Sequence, residues 1–368
     1  MPFESLMMTR TDHLYIHVPF CKTICAYCDF CHVVYREETA ERWLKRLEED
    51  FAEIKDEGYS TVYIGGGTPS SLNIRQLREL LDIVRPFSRK TEEYTIEINP
   101  ESIDEEKVLL LKEYGINRVS IGLQSSDERL LKLMNRHHSF EDVRKTVELL
   151  RKHGLINISL DVLYSLPSQT MDDLKKTVKD VLELDVPHVS LYSLTIEKGT
   201  IFDRLGYQPL DEETEADMYE YIGKELTDKG YIHYEIANFA KEGFQSRHNL
   251  GYWNYDDYRG MSCGAVGKIH HKRYTMTSDL KDYLEKKDIM EVEDIATREE
   301  AFENIMMSLR TIYGLDLKLF KERYGIDFTD EYKDAIEKNK DHLLIKDDHC
   351  ICKDGEILNT ILIDFIKE

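Results

Sequence analysis

No stretch of this chain is apolar for long enough to cross a membrane. Its opening residues, Met1-Pro-Phe-Glu-Ser-Leu-Met-Met-Thr-Arg10, have no basic segment leading into an apolar core and no small-residue cleavage site, so they do not read as a secretory leader. The two absences predict a cytoplasmic protein without membrane insertion, peripheral membrane contact being left open. Positive charge is also scarce: 49 Lys and Arg face 71 Asp and Glu, a formal net charge of −22 over 368 residues. A field of that sign opposes nucleic acid as a partner and favours solubility, and it leaves the local charge of a pocket undecided. Internal repeats and low-complexity tracts are missing, which excludes an array architecture. Seven cysteines are too few and too unevenly placed for a disulfide framework. Four of them fall within eleven residues, the pattern of a metal cluster in a reducing compartment.

What is present begins with that crowding. Cys21, Cys25 and Cys28 lie in Tyr15-Ile-His-Val-Pro-Phe-Cys-Lys-Thr-Ile-Cys-Ala-Tyr-Cys-Asp-Phe30, a CxxxCxxC loop directly after a short apolar strand. Structural zinc closes with four protein ligands and an electron-transfer cubane takes four cysteines, whereas three leave one iron open for chemistry. The alternative, three unrelated buried thiols, fits the spacing poorly, since free cysteines are normally scattered.

Apolar β-branched or aromatic runs alternate with amphipathic stretches. Strands are predicted at Leu14–Val18, Thr61–Ile64, Tyr94–Asn99, Arg118–Gly122, Asn157–Tyr164 and His188–Leu194. Helices are predicted at Ala40–Glu57, Ile74–Arg85, Glu105–Tyr114, Phe140–His153, Met171–Leu184 and Glu212–Lys229. Six such alternations imply βαβ units and a parallel sheet, either doubly wound or a partial TIM-type barrel, with sites at the C-terminal strand ends. After Asp294 the pattern changes to helices at Arg298–Leu309, Leu317–Tyr324 and Glu331–Lys340, strand-like pieces at His342–Ile345 and His349–Cys352, and a last helix near Leu358–Ile366. This predicts two domains, 1–294 and 295–368, the second small, α+β and winged-helix-like. Its acidity points away from DNA and toward an accessory or interface role.

Gly65-Gly66-Gly67-Thr68-Pro69-Ser70 follows the second strand, where glycines let the backbone approach a ligand with its amides free; a plain tight turn is the alternative. Glu97, in Ile96-Glu-Ile-Asn-Pro-Glu101, suits a ribose hydroxyl or an amine, or else a structural ion pair.

The CxxxCxxC loop, with Tyr27 just before its last cysteine, resembles the signature of the radical SAM superfamily. In that family the open iron chelates S-adenosylmethionine, whose reductive cleavage supplies a radical. The resemblance implies a [4Fe-4S] cluster on Cys21, Cys25 and Cys28, and it selects a partial (β/α)6 TIM-type radical SAM barrel. The likeness extends to the C-terminus through Arg118-Val-Ser-Ile-Gly-Leu-Gln-Ser125, Asn135-Arg-His-His138, Ile158-Ser-Leu-Asp-Val-Leu-Tyr164, Leu191-Tyr-Ser-Leu-Thr-Ile196, Tyr234-Glu-Ile-Ala-Asn-Phe239 and Arg247-His-Asn-Leu-Gly-Tyr-Trp253. These resemble the subgroup that contains oxygen-independent coproporphyrinogen III oxidase and the haem chaperone HemW. By that resemblance Tyr15, Gly66, Gly67, Thr68, Glu97, Gln124, Arg136 and Asp161 line an S-adenosylmethionine pocket, with Arg136 on its carboxylate and Asp161 on its ribose.

Three features point to the chaperone branch, which implies binding of haem or a related tetrapyrrole and delivery to acceptor haemoproteins. Only 20 residues precede Cys21, too few for the extension that the oxidase folds over its substrate. Cys28 is followed by Asp29-Phe30, where the oxidase places a cysteine two residues on. His248-Asn-Leu-Gly-Tyr-Trp253 matches an HNxxYW element associated with haem handling, in which His248 would be an axial ligand and Tyr252 and Trp253 would pack on the macrocycle. A histidine and aromatics closing a packed loop is the alternative. No catalytic residue is assigned. The oxidase is the runner-up function, and radical modification of another small molecule or of RNA is a third.

Two departures from the family pattern stand out. Cys31 adds a fourth cysteine, which caps the cluster, serves a second centre or is simply a neighbouring thiol. In Tyr258-Arg-Gly-Met-Ser-Cys-Gly-Ala-Val-Gly267, Val266 and Gly267 replace a usual His and Ser, and Ser262 and Cys263 intrude, which weakens any tetrapyrrole contact there. Lys268-Ile-His-His-Lys-Arg273 is the most basic stretch, suited to haem propionates or to a solvated hairpin. The haem acceptor and the oligomeric state are not legible.

Overall fold

The computed structural model describes residues 9–54, 58–287 and 289–366. Its main sheet begins with β1 (His13–Val18), after which β2 (Phe20–Cys21) and β3 (Val33–Val34) pair in parallel at the neck of the cysteine loop. β4 (Thr61–Gly66), β5 (Glu93–Ile98), β6 (Arg118–Gln124), β7 (Asn157–Tyr164) and β8 (His188–Ser193) follow, with a helix in each crossover. β1, β4, β5, β6, β7 and β8 lie side by side in that order, every neighbouring pair parallel. This is the partial TIM-type barrel with a C-terminal domain. The helix expected at Ala40–Glu57 spans Glu37–Ala52, and residues 55–57 lie outside the described residues.

Strands of a parallel sheet covered on both faces usually run continuously apolar. Here they alternate. Val62 and Ile64, Ile96 and Ile98, Val119 and Ile121, Leu160 and Val162 belong to the main hydrophobic core. The residues between them, including Tyr63, Glu97, Ser120 and Asp161, line a cavity. Register places Glu97 opposite Ser120, Gly122 opposite Asp161 and Asp161 opposite Ser190, so polar side chains from successive strands meet inside the barrel.

Short strands extend both edges. β9 (Ile232–Glu235) and β10 (Asn238–Ala240) continue antiparallel beyond β8. β11 (Tyr258–Met261) pairs in parallel with β1, and β12 (Val266–Ile269), β13 (Lys272–Met276) and β14 (Met290–Asp294) follow antiparallel. Beyond them the helix Thr297–Ser308 opens a second hydrophobic cluster that includes Ile305, Phe320, Phe328 and Phe365. There β15 (Leu315–Asp316), β16 (Leu343–Lys346) and β17 (His349–Cys352) form a three-stranded sheet with β17 central, which with its helices gives the winged-helix-like arrangement. No helix among the described residues is long and apolar enough to cross a membrane.

Candidate functional site

The cysteine loop is fastened at its neck and again at its middle. Val33 N donates to Pro19 O at 2.8 Å and Tyr35 N to Cys21 O at 2.8 Å. Halfway along, Ala26 N donates to Met134 O (3.0 Å), Phe202 N to Ala26 O (2.9 Å) and Asn135 Nδ2 to Ile24 O (2.8 Å). Ala26 sits in a small apolar cluster with Leu130, Met134 and Phe202. The three thiols so held line one wall of a cavity of about 380 Å³. Each sulfur has its own polar neighbour: Thr68 Oγ1 at 3.6 Å from Cys21, Arg136 Nη1 at 3.5 Å from Cys25 and His32 Nδ1 at 3.5 Å from Cys28. Burial pushes Cys21 up to about 11 and Cys28 to about 12, so their thiolates need a metal to form near neutral pH. Among the described residues no three His, Cys, Asp or Glu side chains close on a single-ion site.

The facing wall is built from strand ends. Gly66 has φ +109, and a Cβ there would lie 2.7 Å from the His17 ring; one on Gly67 would lie 2.8 Å from Phe20 O and 3.0 Å from Cys21 Sγ. Only glycine leaves this approach open. Glu97 accepts from Tyr63 Oη (2.8 Å) and Gly66 N (3.1 Å), and burial together with the neighbouring Asp161 carboxylate pushes it up to about 7. Asp161 accepts from Ser120 Oγ at 3.0 and 3.1 Å, and burial raises its pKa as well. Opposite them the buried Arg136 donates from Nη2 to Asn99 Oδ1 (2.9 Å) and Gly122 O, while its Nε has no partner. A cavity with thiols on one side, an under-satisfied guanidinium and a reluctant carboxylate pair suits a zwitterion carrying an ammonium and a carboxylate. The donor set therefore fits a thiolate-held cluster with an amino-acid-bearing cofactor beside it.

Gly66, Gly67, Thr68, Glu97, Gln124, Arg136 and Asp161 all line this cavity. Tyr15 does not; it stands in the wall of a neighbouring cavity, its hydroxyl 3.0 Å from His17 Nδ1. His17 Nε2 lies 2.7 Å from Cys31 O, so the ring donates there and accepts from Tyr15. Asn99, Arg118, Ser120 and Tyr192 also line the smaller cavity and were not singled out from the sequence. Their signal was available in the polar positions that interrupt otherwise apolar strands.

The neighbouring cavity, about 710 Å³, contains Tyr252 and Trp253 in its lining. It shares Phe30, Gly66, Glu97, Tyr192 and Asn249 with the smaller one. Tyr252 and Trp253 end the helix Arg247–Trp253, whose first amides are capped by Glu93: Arg247 N donates to it at 2.9 Å and His248 N at 3.0 Å. His248 is turned away. It is 1% exposed, with Nδ1 2.7 Å from Thr61 Oγ1 and Nε2 2.8 Å from Tyr252 Oη, and burial holds it well below its ordinary pKa. Both ring nitrogens are thus engaged within the protein. Axial ligation by His248 would require breaking its bond to Tyr252.

The basic stretch 268–273 forms the β12–β13 hairpin, and its charges are already matched. Lys268 pairs with Asp257 at 2.7 Å, His271 with Glu300, Lys272 with Asp294 and Arg273 with Glu303. Lys268 and Arg273 line the larger cavity. Cys31 also lines that cavity and is absent from the wall that carries the other three cysteines of its loop.

Comparison with known proteins agrees with this geometry. The Radical SAM superfamily model matches residues 15–181, and the HemN C-terminal domain model matches residues 295–354. Heme chaperone HemW of Lactococcus lactis subsp. lactis is 36% identical, the alignment covering 98% of this chain and 99% of that protein. Heme chaperone HemW of Bacillus subtilis is 36% identical over 89% of this chain and 92% of its own length, and that of Escherichia coli 31% over 96% and 98%. The solved structure of Escherichia coli coproporphyrinogen III oxidase (HemN), a radical SAM enzyme, superposes with a TM-score of 0.85, covering 99% of this chain and 92% of that one at 21% identity, a likeness of fold. Radical SAM membership implies a [4Fe-4S] cluster and S-adenosylmethionine. With matching relatives along nearly its whole length, the chain belongs to the HemW family of radical SAM proteins.

Proposed function

We propose that this chain is a haem chaperone: it binds haem in the larger cavity and delivers it to acceptor haemoproteins in the cytoplasm. The observation that carries the reading is the shared wall between the two cavities, which sets a large aromatic chamber beside a polar one lined by Cys21, Cys25 and Cys28. At about 710 Å³ the chamber lies within the ~300–1,000 Å³ typical of sites for sizeable ligands. Tyr252 and Trp253 offer faces for a macrocycle, and Lys268 and Arg273 offer cations for propionates that must compete with the carboxylates now paired to them. His248 positions Tyr252 through its hydroxyl.

In the smaller cavity Cys21, Cys25 and Cys28 would hold the cluster, which supplies reducing electrons when present. Arg136 would take the carboxylate of S-adenosylmethionine, Glu97 its ammonium, the amides after Gly66 its methionyl part and Asp161 its ribose. The boundary between barrel and C-terminal domain is placed at 294/295, and nucleic acid is not among the partners. The relatives named Heme chaperone HemW support this function over the oxidase.

The test uses anaerobically purified, cluster-loaded protein. Titration with haemin should give a saturable Soret band, and incubation with reductant, S-adenosylmethionine and coproporphyrinogen III should release no carbon dioxide. Loss of two propionate groups with carbon dioxide release would replace the reading with that of an oxidase. His248→Ala should keep the Soret position while lowering stability by roughly 1–3 kcal/mol, because the Tyr252 hydroxyl loses its partner while Thr61 keeps His13. A displaced band would make His248 the iron ligand.

A further inference from the structure

Cys31 and Cys263 are 232 positions apart in the chain, yet their Sγ atoms lie 3.4 Å from each other. Neither belongs to the cluster trio. Cys31 is reached from the larger cavity, and Cys263 is fully buried in the turn between β11 and β12. The turn is shaped for this approach. Gly264 has φ +80, and a Cβ on it would fall 2.4 Å from Cys31 Cβ and 3.0 Å from its Sγ. Ser262 is held at φ 82, a left-handed conformation costly for a side-chain-bearing residue, with its hydroxyl taking the Trp43 Nε1 hydrogen at 2.8 Å. On the other side, the Cys31 carbonyl takes the His17 Nε2 hydrogen at 2.7 Å, and Cys31 Sγ lies 3.2 Å from Ser278 O.

The two sulfurs are electrostatically unequal. Contact with Cys263, outweighing burial, and the nearby His17 ring pull the Cys31 thiol below its ordinary pKa, while Cys263, in contact with the Cys31 sulfur and buried, is pushed up. Cys31, in the cavity wall, is the member that a small oxidant can reach, and Cys263, enclosed 3.4 Å away, is its waiting partner, the division of labour of a reactive and a resolving thiol.

We propose that Cys31 and Cys263 form a peroxide-reactive dithiol that closes reversibly to a disulfide. The Cys31 thiolate attacks hydrogen peroxide, breaking the O–O bond to give Cys31 sulfenic acid and hydroxide. Cys263 sulfur then displaces the hydroxyl from Cys31 sulfur; its thiol proton leaves with that hydroxyl as water. Two thiols and one peroxide give one disulfide and two waters, and a low-molecular-weight thiol reverses the step by exchange. Closure needs the sulfurs to move together by little more than one ångström, to about 2.05 Å. The bond would tie the cysteine loop to the β11–β12 turn across the wall of the larger cavity. This inference does not depend on haem being the occupant of that cavity.

The experiment treats the full-length, cluster-loaded protein with a small excess of hydrogen peroxide under anaerobic conditions, quenches with acid, alkylates free thiols and maps the peptides by mass. The peptides carrying Cys31 and Cys263 should be recovered joined, lighter by two hydrogens, and separable by reductant. In Cys263→Ser the Cys31 sulfenic acid has no resolving thiol and should be captured by dimedone; in Cys31→Ser neither product should form. Recovery of Cys31 and Cys263 as separately alkylated thiols after the peroxide is consumed would overturn the proposal. So would a majority disulfide from Cys31 to Cys21, Cys25 or Cys28. If the Cys263→Ser protein fails to fold, the wild-type map alone decides.

Discussion

Three thiols and one carboxylate decide what the smaller cavity can hold. Replacing Cys21, Cys25 or Cys28 with Ala should each abolish the broad iron–sulfur absorbance after anaerobic reconstitution, since three ligands leave none to spare. Cys31→Ala should keep it, because Cys31 faces the other cavity; loss of the absorbance in that variant would make Cys31 a ligand. Glu97 gives a pH signature. Its folded pKa of about 7 exceeds the ordinary ~4.3 of the unfolded chain, so between those values the unfolded state loses its proton first. The Glu97 contribution to stability of the cluster-free protein should therefore fall as pH rises from about 4.5 to about 7 and stay flat beyond, and Glu97→Gln should remove that slope. Thermal melts of both proteins across this range read it directly. A slope unchanged in the variant would assign it to another group.

The six parallel strands were legible because each carries a run of apolar residues at every second position and is followed by a helix with its own periodicity. The starts expected at Ile74, Phe140 and Met171 hold, each preceded by a residue (Asn73, Ser139, Thr170) whose side chain accepts from a backbone amide in the first turn, whereas the start expected at Ala40 lies at Glu37. The flanking strands β9 to β14 were not: at three to five residues each holds too little alternation to read, although most of them pair with their neighbours in sequence. The helix Glu128–Leu133 escaped for a similar reason, since six residues hold less than two turns of periodicity. At the site, residue type suggested a ligand at His248, and the structure adds that its ring is held by Thr61 on β4, a partner that no local spacing reveals. Glu93 illustrates the same limit from the other side: a strand carboxylate that caps the helix Arg247–Trp253 through three contacts, Ser246 Oγ among them. Glu93→Ala should unwind that helix start and displace Tyr252 and Trp253. A loss of roughly 1–3 kcal/mol is expected from the orphaned amides, with haem binding weakened and iron content retained. Equal loss of haem and iron would show that the barrel itself had failed.

The larger cavity is lined from both sides of the 294/295 boundary, so under the proposed function the C-terminal domain would take part in binding. The helix Thr297–Ser308 buries Ala301 and Ile305 in its own cluster and presents Glu303, Met306 and Met307 to the cavity. It is fastened beside the aromatic pair: Ser308 Oγ donates to Trp253 O at 3.2 Å, Arg323 Nη1 to Asn254 O at 2.8 Å, and Arg323 also pairs with Asp256. Methionine suits such a wall because its flexible, polarisable side chain adapts to a flat aromatic surface. Met307→Glu places a carboxylate against that surface without disturbing either core, since Met307 is only partly buried. Haem affinity should drop at least tenfold, about 1.4 kcal/mol, as the charge is either desolvated or holds the macrocycle off the wall. Affinity for S-adenosylmethionine, whose proposed ligands all line the smaller cavity that Met307 does not reach, should be unchanged by calorimetry, and the melting temperature should move little. Wild-type haem affinity in the folded variant would mean that haem does not occupy this cavity, whereas parallel loss of both ligands would mean that the two cavities are not independent.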